Sequence, residues 1–79
     1  MEQQQPKRFI VTYQTHLSGR TETVIVTAKP YATAHNPSDL WYATAPGAGC
    51  SKNYPSPAAA VRELVYDDLG YVLSIVEIP

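Results

Sequence analysis

The sequence predicts an α+β fold: a two-layer β-β-β-α-β domain, one helix packed on a mostly antiparallel four-stranded sheet. Three observations predict it. Only one stretch, Pro55 to Gly70 (PSPAAAVRELVYDDLG), combines helical spacing with helix punctuation. Four other stretches alternate in polarity or are rich in β-branched residues, at lengths that suit strands. The last of these is apolar on both sides, the pattern of a strand covered on both faces.

Met1 to Lys7 is polar and glutamine-rich and reads as a flexible tail, which leaves residues 8–79 as a single domain. Arg8 to His16 is the first strand, with Phe9, Val11 and Tyr13 on one face and Ile10, Thr12 and Gln14 on the other. Leu17-Ser18-Gly19-Arg20 is a turn in which glycine supplies a positive φ. Thr21 to Ala28 is the second strand, and the two should form an antiparallel hairpin. Pro30 to Ser38 reads as a loop broken by Pro30, Asn36 and Pro37. Leu40 to Ala45 is the third strand. The tetrapeptide of Tyr31 to Ala34 recurs at Tyr42 to Ala45, too short a copy to make a repeat protein. Pro46 to Pro55 reads as turn and loop.

In the helix, Ser56 suits the N-cap and Pro57 the first helical position, where its missing N–H costs nothing. Gly70 is expected as the residue that ends the helix in a left-handed conformation. Val61, Leu64 and Val65 share one face, with Ala58 and Leu69 at its margin; Ala59, Arg62, Glu63, Tyr66 and Asp67 share the other. Tyr71 to Ile78 is the fourth strand, with Tyr71, Leu73 and Ile75 on one face and Val72, Val76 and Ile78 on the other. The crossover from the third strand to the fourth is right-handed if those strands run parallel. The expected core is Phe9, Val11, Val24, Val26, Val61, Leu64, Val65, Val72 and Val76.

One helix covers one face of a sheet. Ile10, Ile25, Leu73 and Ile75 are therefore expected on a second apolar surface, and a homodimer is the expected cover. Cys50, in a loop of small residues, offers a second route to the dimer through an intermolecular disulfide. A single cysteine excludes an internal disulfide.

Composition narrows the function. Seventy-nine residues bury one modest core. The net charge is −1 and the pI about 6.0, which argues against direct nucleic-acid binding through phosphate neutralisation. Arg8, Arg20, Lys29 and Lys52 lie near Tyr13, Tyr31 and Tyr54 in sequence but form no cluster. No apolar run approaches the ~18 residues of a membrane span, and the first eight residues lack the apolar segment of a secretory signal. A cytoplasmic protein with no membrane contact is expected.

No catalytic, cofactor-binding or metal-binding residues emerge. His16, His35 and Cys50 are too scattered for a zinc site or a thiol–imidazole pair. Gly47-Ala48-Gly49 lacks the lysine and third glycine of phosphate loops and reads as a turn. Asp39, Glu77 and the helix acids form no pair that acid–base work needs. The helix acids are odd in another way. Asp67 and Asp68 sit in the last turn against the macrodipole, at a cost of roughly 0.3–1 kcal/mol each. Glu63 and Asp67 are a like-charge pair four residues apart. Either this is a solvated face, or Glu63, Tyr66, Asp67 and Asp68 are a docking patch for a basic protein partner, with Tyr66 its anchor.

Leu40 to Leu64 (LWYATAPGAGCSKNYPSPAAAVREL) resembles the N-terminal domain of HicB-type antitoxins. A strand leads to a proline, a Gly49-Cys50 turn, a short segment and a serine-capped, alanine-rich helix. That resemblance implies a toxin or an RNA as partner. In size, mild acidity and the absence of a catalytic signature, the chain also resembles the type I anti-CRISPR class of phage and mobile-element proteins. This class-level resemblance implies a non-enzymatic inhibitor that binds a Cas subunit or complex in the cytoplasm of a bacterial host cell, with no cofactor. The anti-CRISPR reading leads, and the HicB-like antitoxin domain is the alternative.

Overall fold

The computed structural model describes residues 5–31 and 40–79. His35, Asn36, Pro37, Asp39 and most of the first YATA copy lie outside them. The elements are β1 (Lys7–Thr15), β2 (Thr21–Tyr31), β3 (Leu40–Ala45), β4 (Gly49–Cys50), α1 (Pro57–Asp68) and β5 (Gly70–Ile78). They form a small α+β domain in which the helix packs on one five-stranded sheet of order β4-β3-β2-β1-β5, antiparallel at every pairing.

Lys7, assigned to the tail by its polarity, belongs to β1 and pairs with Ala28. β2 runs on through Pro30 to Tyr31, paired with Trp41 and Leu40. Pro30 lacks a donor, yet a strand accepts it where that donor is not needed. The fifth strand was missed because Pro46 to Pro55 has loop composition. Its backbone nevertheless follows β3: Ser51 N–H donates to Ala43 O (2.9 Å), and Trp41 and Tyr54 exchange two bonds of 2.7 and 2.8 Å. β3 and β5 are not neighbours and run antiparallel, so the connection through α1 is not a parallel crossover.

The hairpin turn follows expectation: Thr15 N–H donates to Arg20 O (2.8 Å), and Gly19 takes φ 70°. Ser56 caps α1, its Oγ accepting from Ala59 N–H at 3.1 Å. Gly70 departs from expectation. It has no positive φ; it opens β5 opposite Thr15, and a Cβ there would collide with the Gln14 carbonyl. Close approach of two backbones, not a left-handed cap, is what requires glycine here.

The core lies between the sheet and α1. Phe9, Val11 and Tyr13 of β1, Val26 and Ala28 of β2, and Trp41 and Ala43 of β3 are buried against Ala60, Val61, Leu64 and Val65. Val24, Val72 and Ile75 pack on its margin. Ala58 is exposed, and Ala60, one turn before Leu64, takes the buried place. Val76 is the clear departure from the expected core, at 58% exposure. A bulge explains it. The β1–β5 register jumps so that Thr12 faces Ser74 but Tyr13 faces Val72, which leaves Leu73 as an extra residue. The inserted residue inverts the alternation: Val72 and Ile75 both face the helix, and Val76 faces away.

Candidate functional site

The sheet has a second face, and β registry defines it row by row. Facing residues across antiparallel strands point the same way. Ile25, Ile10 and Val76 are aligned across β2, β1 and β5. They are 50, 40 and 58% exposed. One row towards the start of β1 lie Thr44, Thr27, Arg8 and Ile78; one row the other way lie Thr23, Thr12 and Ser74. Lys29 pairs with Tyr42, whose ring meets that of Tyr31 edge-on at 6.4 Å. Nothing in the described residues covers this face. The four residues assigned by sequence to an apolar second surface therefore divide. Ile10 and Ile25 are adjacent on the open face. Ile75 is in the core margin, displaced by the bulge, and Leu73 is the bulge itself, 57% exposed at the sheet edge. Cys50 is exposed on β4, opposite Thr44 at the other edge of the sheet.

The described acids lie on one side of the sheet, whereas cations lie on both, Lys7 of β1 and Arg62 of α1 sharing the helix side. All five described acids lie on the helix side: Glu22 beside Tyr13, Glu77 beside Phe9, and Glu63, Asp67 and Asp68 on α1. Among the described residues the open face carries Arg8 and Lys29 and no acid. Glu77 has an ion-pair partner in Lys7 at 3.7 Å, both half exposed; the α1 acids have none among the described residues. Tyr66, Asp67 and Asp68 are exposed and Glu63 is half-buried. Tyr54 stands close to this acidic patch. Its phenol is held above its ordinary value, first by desolvation and then by Glu63 and Asp67.

The carbonyls of the last turn receive donors from far along the chain. No basic residue of α1 lies in that turn. His16 Nε2–H instead donates to Tyr66 O at 2.7 Å, and His16 N–H donates to Leu69 O at 3.3 Å. Two otherwise orphaned carbonyls at the helix end are thus satisfied from the β1–β2 turn. The imidazole also meets Tyr71 edge-on at 4.8 Å and Tyr66 at 6.0 Å. Sequence reasoning could not find this trio, because His16 and Tyr66 are fifty residues apart and share no motif. Beside it an open groove of about 560 Å³ runs between α1 and β5, from Arg62 and Tyr66 to Leu73 and Ile75.

His16 is committed to the helix end, while Cys50 lies on the opposite edge strand; the fold does not pair them. Among the described residues no group of three or more His, Cys, Asp or Glu side chains is placed to hold a metal ion. No helix among them is long and apolar enough to cross a membrane. Comparison of the chain with protein-family models, with curated proteins and with solved structures finds no match.

Proposed function

We propose that this chain is a non-enzymatic protein-binding inhibitor that presents the outward face of α1 to a basic target. The observation that supports the reading is the gathering of acids on the helix side of the sheet. Glu63, Asp67 and Asp68 gather beside exposed Tyr66 on one flank, and no cation among the described residues forms an ion pair with them. An exposed aromatic among unpaired acids suits a protein partner: the ring anchors, while the acids steer approach and select against acidic surfaces. Basic surfaces of this kind are built by proteins that hold nucleic acid. Together with the resemblance to the type I anti-CRISPR class, this makes a Cas complex the proposed partner.

The test is interference. A bacterium with an active type I CRISPR system directed at a phage should regain plaques when it expresses the chain. Glu63→Lys combined with Asp67→Lys should abolish that gain while leaving the melting temperature unchanged. Plaquing that stays suppressed in every type I subtype overturns the inhibitor reading. The alternative is then the HicB-like antitoxin, whose own readout is rescue of cells from a co-expressed small toxin.

A further inference from the structure

One corner of the open sheet face gathers residues that lie apart in the sequence. We propose that this corner binds single-stranded nucleic acid, with Tyr31 and Tyr42 as stacking rings and Lys29 and Arg8 as phosphate contacts. The inference is independent of the inhibitor reading, since it concerns the other side of the sheet.

Strand register builds the corner. Lys29 of β2 stands beside Tyr42 of β3. One row on, Thr44, Thr27 and Arg8 stand side by side across β3, β2 and β1. One row the other way, Tyr31 ends β2, on the same face as Lys29 because residues two apart in a strand share a face. Arg8 and Lys29 are thus one strand and one row apart, roughly 8 Å between Cα atoms. Two long side chains at that spacing can hold one short stretch of phosphate backbone.

Charge on this face suits phosphates. Arg8 and Lys29 are both exposed, and neither forms an ion pair among the described residues. The chain has a net charge of −1, yet every described acid lies on the helix side. A ligand that approaches the open face therefore meets the two cations first. Thr27 and Thr44 set hydroxyl donors beside them, which phosphate oxygens also accept.

The rings suit the bases. Tyr31 is 42% exposed and Tyr42 is half-buried. They meet edge-on, with centroids 6.4 Å apart and planes at 86°. Each ring steadies the other, so a base meets an aromatic surface whose orientation is already set, and any base can stack on it. Other occupants fit less well. A second copy of this face would bring cations against cations. A duplex keeps its bases stacked inside, away from the tyrosines. An acidic protein segment would satisfy Arg8 and Lys29 but would leave the rings without a planar partner.

Fluorescence anisotropy of a labelled oligothymidylate, titrated with the full chain, tests this. Two phosphate contacts at a slope of about −0.7 each predict affinity about sevenfold weaker at 200 mM salt than at 50 mM. Arg8→Gln and Lys29→Gln should each cut that fall to about 2.6-fold. Tyr31→Ala should weaken binding about tenfold and leave the salt dependence unchanged. Each variant should keep the far-ultraviolet dichroism of the wild type; Tyr31→Leu replaces Tyr31→Ala should the latter fail to fold. An oligothymidylate that does not bind overturns the proposal. So does binding that neither glutamine variant changes, or a duplex of equal length bound as tightly. Polyglutamate bound as tightly as the oligothymidylate also overturns it and marks an acidic protein segment as the occupant.

Discussion

The two faces of the sheet are built from alternate residues of the same strands, and their fates are opposite. On the helix side, Val11, Val26 and Val61 are wholly buried. On the other, Ile10 and Ile25, equally apolar and adjacent in sequence to buried residues, remain 40 and 50% exposed. Composition separates the faces in part, since threonines flank Ile10 and Ile25 on the open side; the position of α1 closes the other. The helix side also collects every described acid, while the open side keeps two cations. Burial is thus assigned by one event, the docking of a single helix on one side of a pleated sheet.

The largest expected difference between the faces is in the core. Leu64 is 2% exposed in the centre of the helix stripe, and Leu64→Ala should destabilise by about 2–5 kcal/mol. Chemical denaturation gives the value directly. A loss below ~1 kcal/mol would mean that α1 does not close the covered face.

Next in size is the contact that joins the last helix residues to the sheet. Gly70→Ala drives a methyl group into the Gln14 carbonyl, and backbone cannot swing aside as a side chain does. A loss of about 1–3 kcal/mol is expected, the range for overpacking. Wild-type stability in this variant would show that β5 sits farther from β1 than described.

His16→Ala removes the donor that satisfies Tyr66 O. The bond is exposed, so the expected loss is about 1 kcal/mol. Exchange of amide protons in the last turn of α1 should quicken more than exchange elsewhere. Uniform quickening would mean that His16 does not serve the helix end in particular.

The smallest effect is a pH dependence. Burial pushes the Tyr13 phenol above its ordinary value, and Glu22, which accepts its hydrogen bond at 3.4 Å, adds to the shift. The unfolded chain then releases this proton first. Stability from this group is fully present below about pH 10 and falls as pH rises towards the folded value. Tyr54 is raised in the same direction. Tyr13→Phe should therefore reduce the alkaline fall in stability, not abolish it. An unchanged alkaline limb would remove Tyr13 from the account.

Much of the covered face was legible in the sequence. Strict alternation in β1 and β2, the span of β3 and the Ser56–Pro57 start of α1 all read locally, because short-range sterics and capping fix them. Three things were not legible. The bulge at Leu73 follows from how β5 meets β1, and no residue within Tyr71 to Ile78 announces it; it sent Ile75 inward and Val76 outward. β4 has turn composition and exists only because β3 offers it an edge. His16 at the helix end is a contact across most of the chain. Each is a tertiary relation that overrides local preference. The candidate docking acids could be named from sequence, since a misplaced charge in a helix is a local observation. Their separation from Arg8 and Lys29 required the sheet.

Val11 and Ile10 are neighbours in β1, and a lysine at each in turn compares the faces most directly. The account predicts that Val11→Lys, which buries an unpaired charge where the wild-type side chain is wholly enclosed, loses the cooperative thermal transition. Ile10→Lys should keep a cooperative transition and wild-type secondary structure. Equal damage from both, or greater damage from Ile10→Lys, would contradict the assignment of the faces.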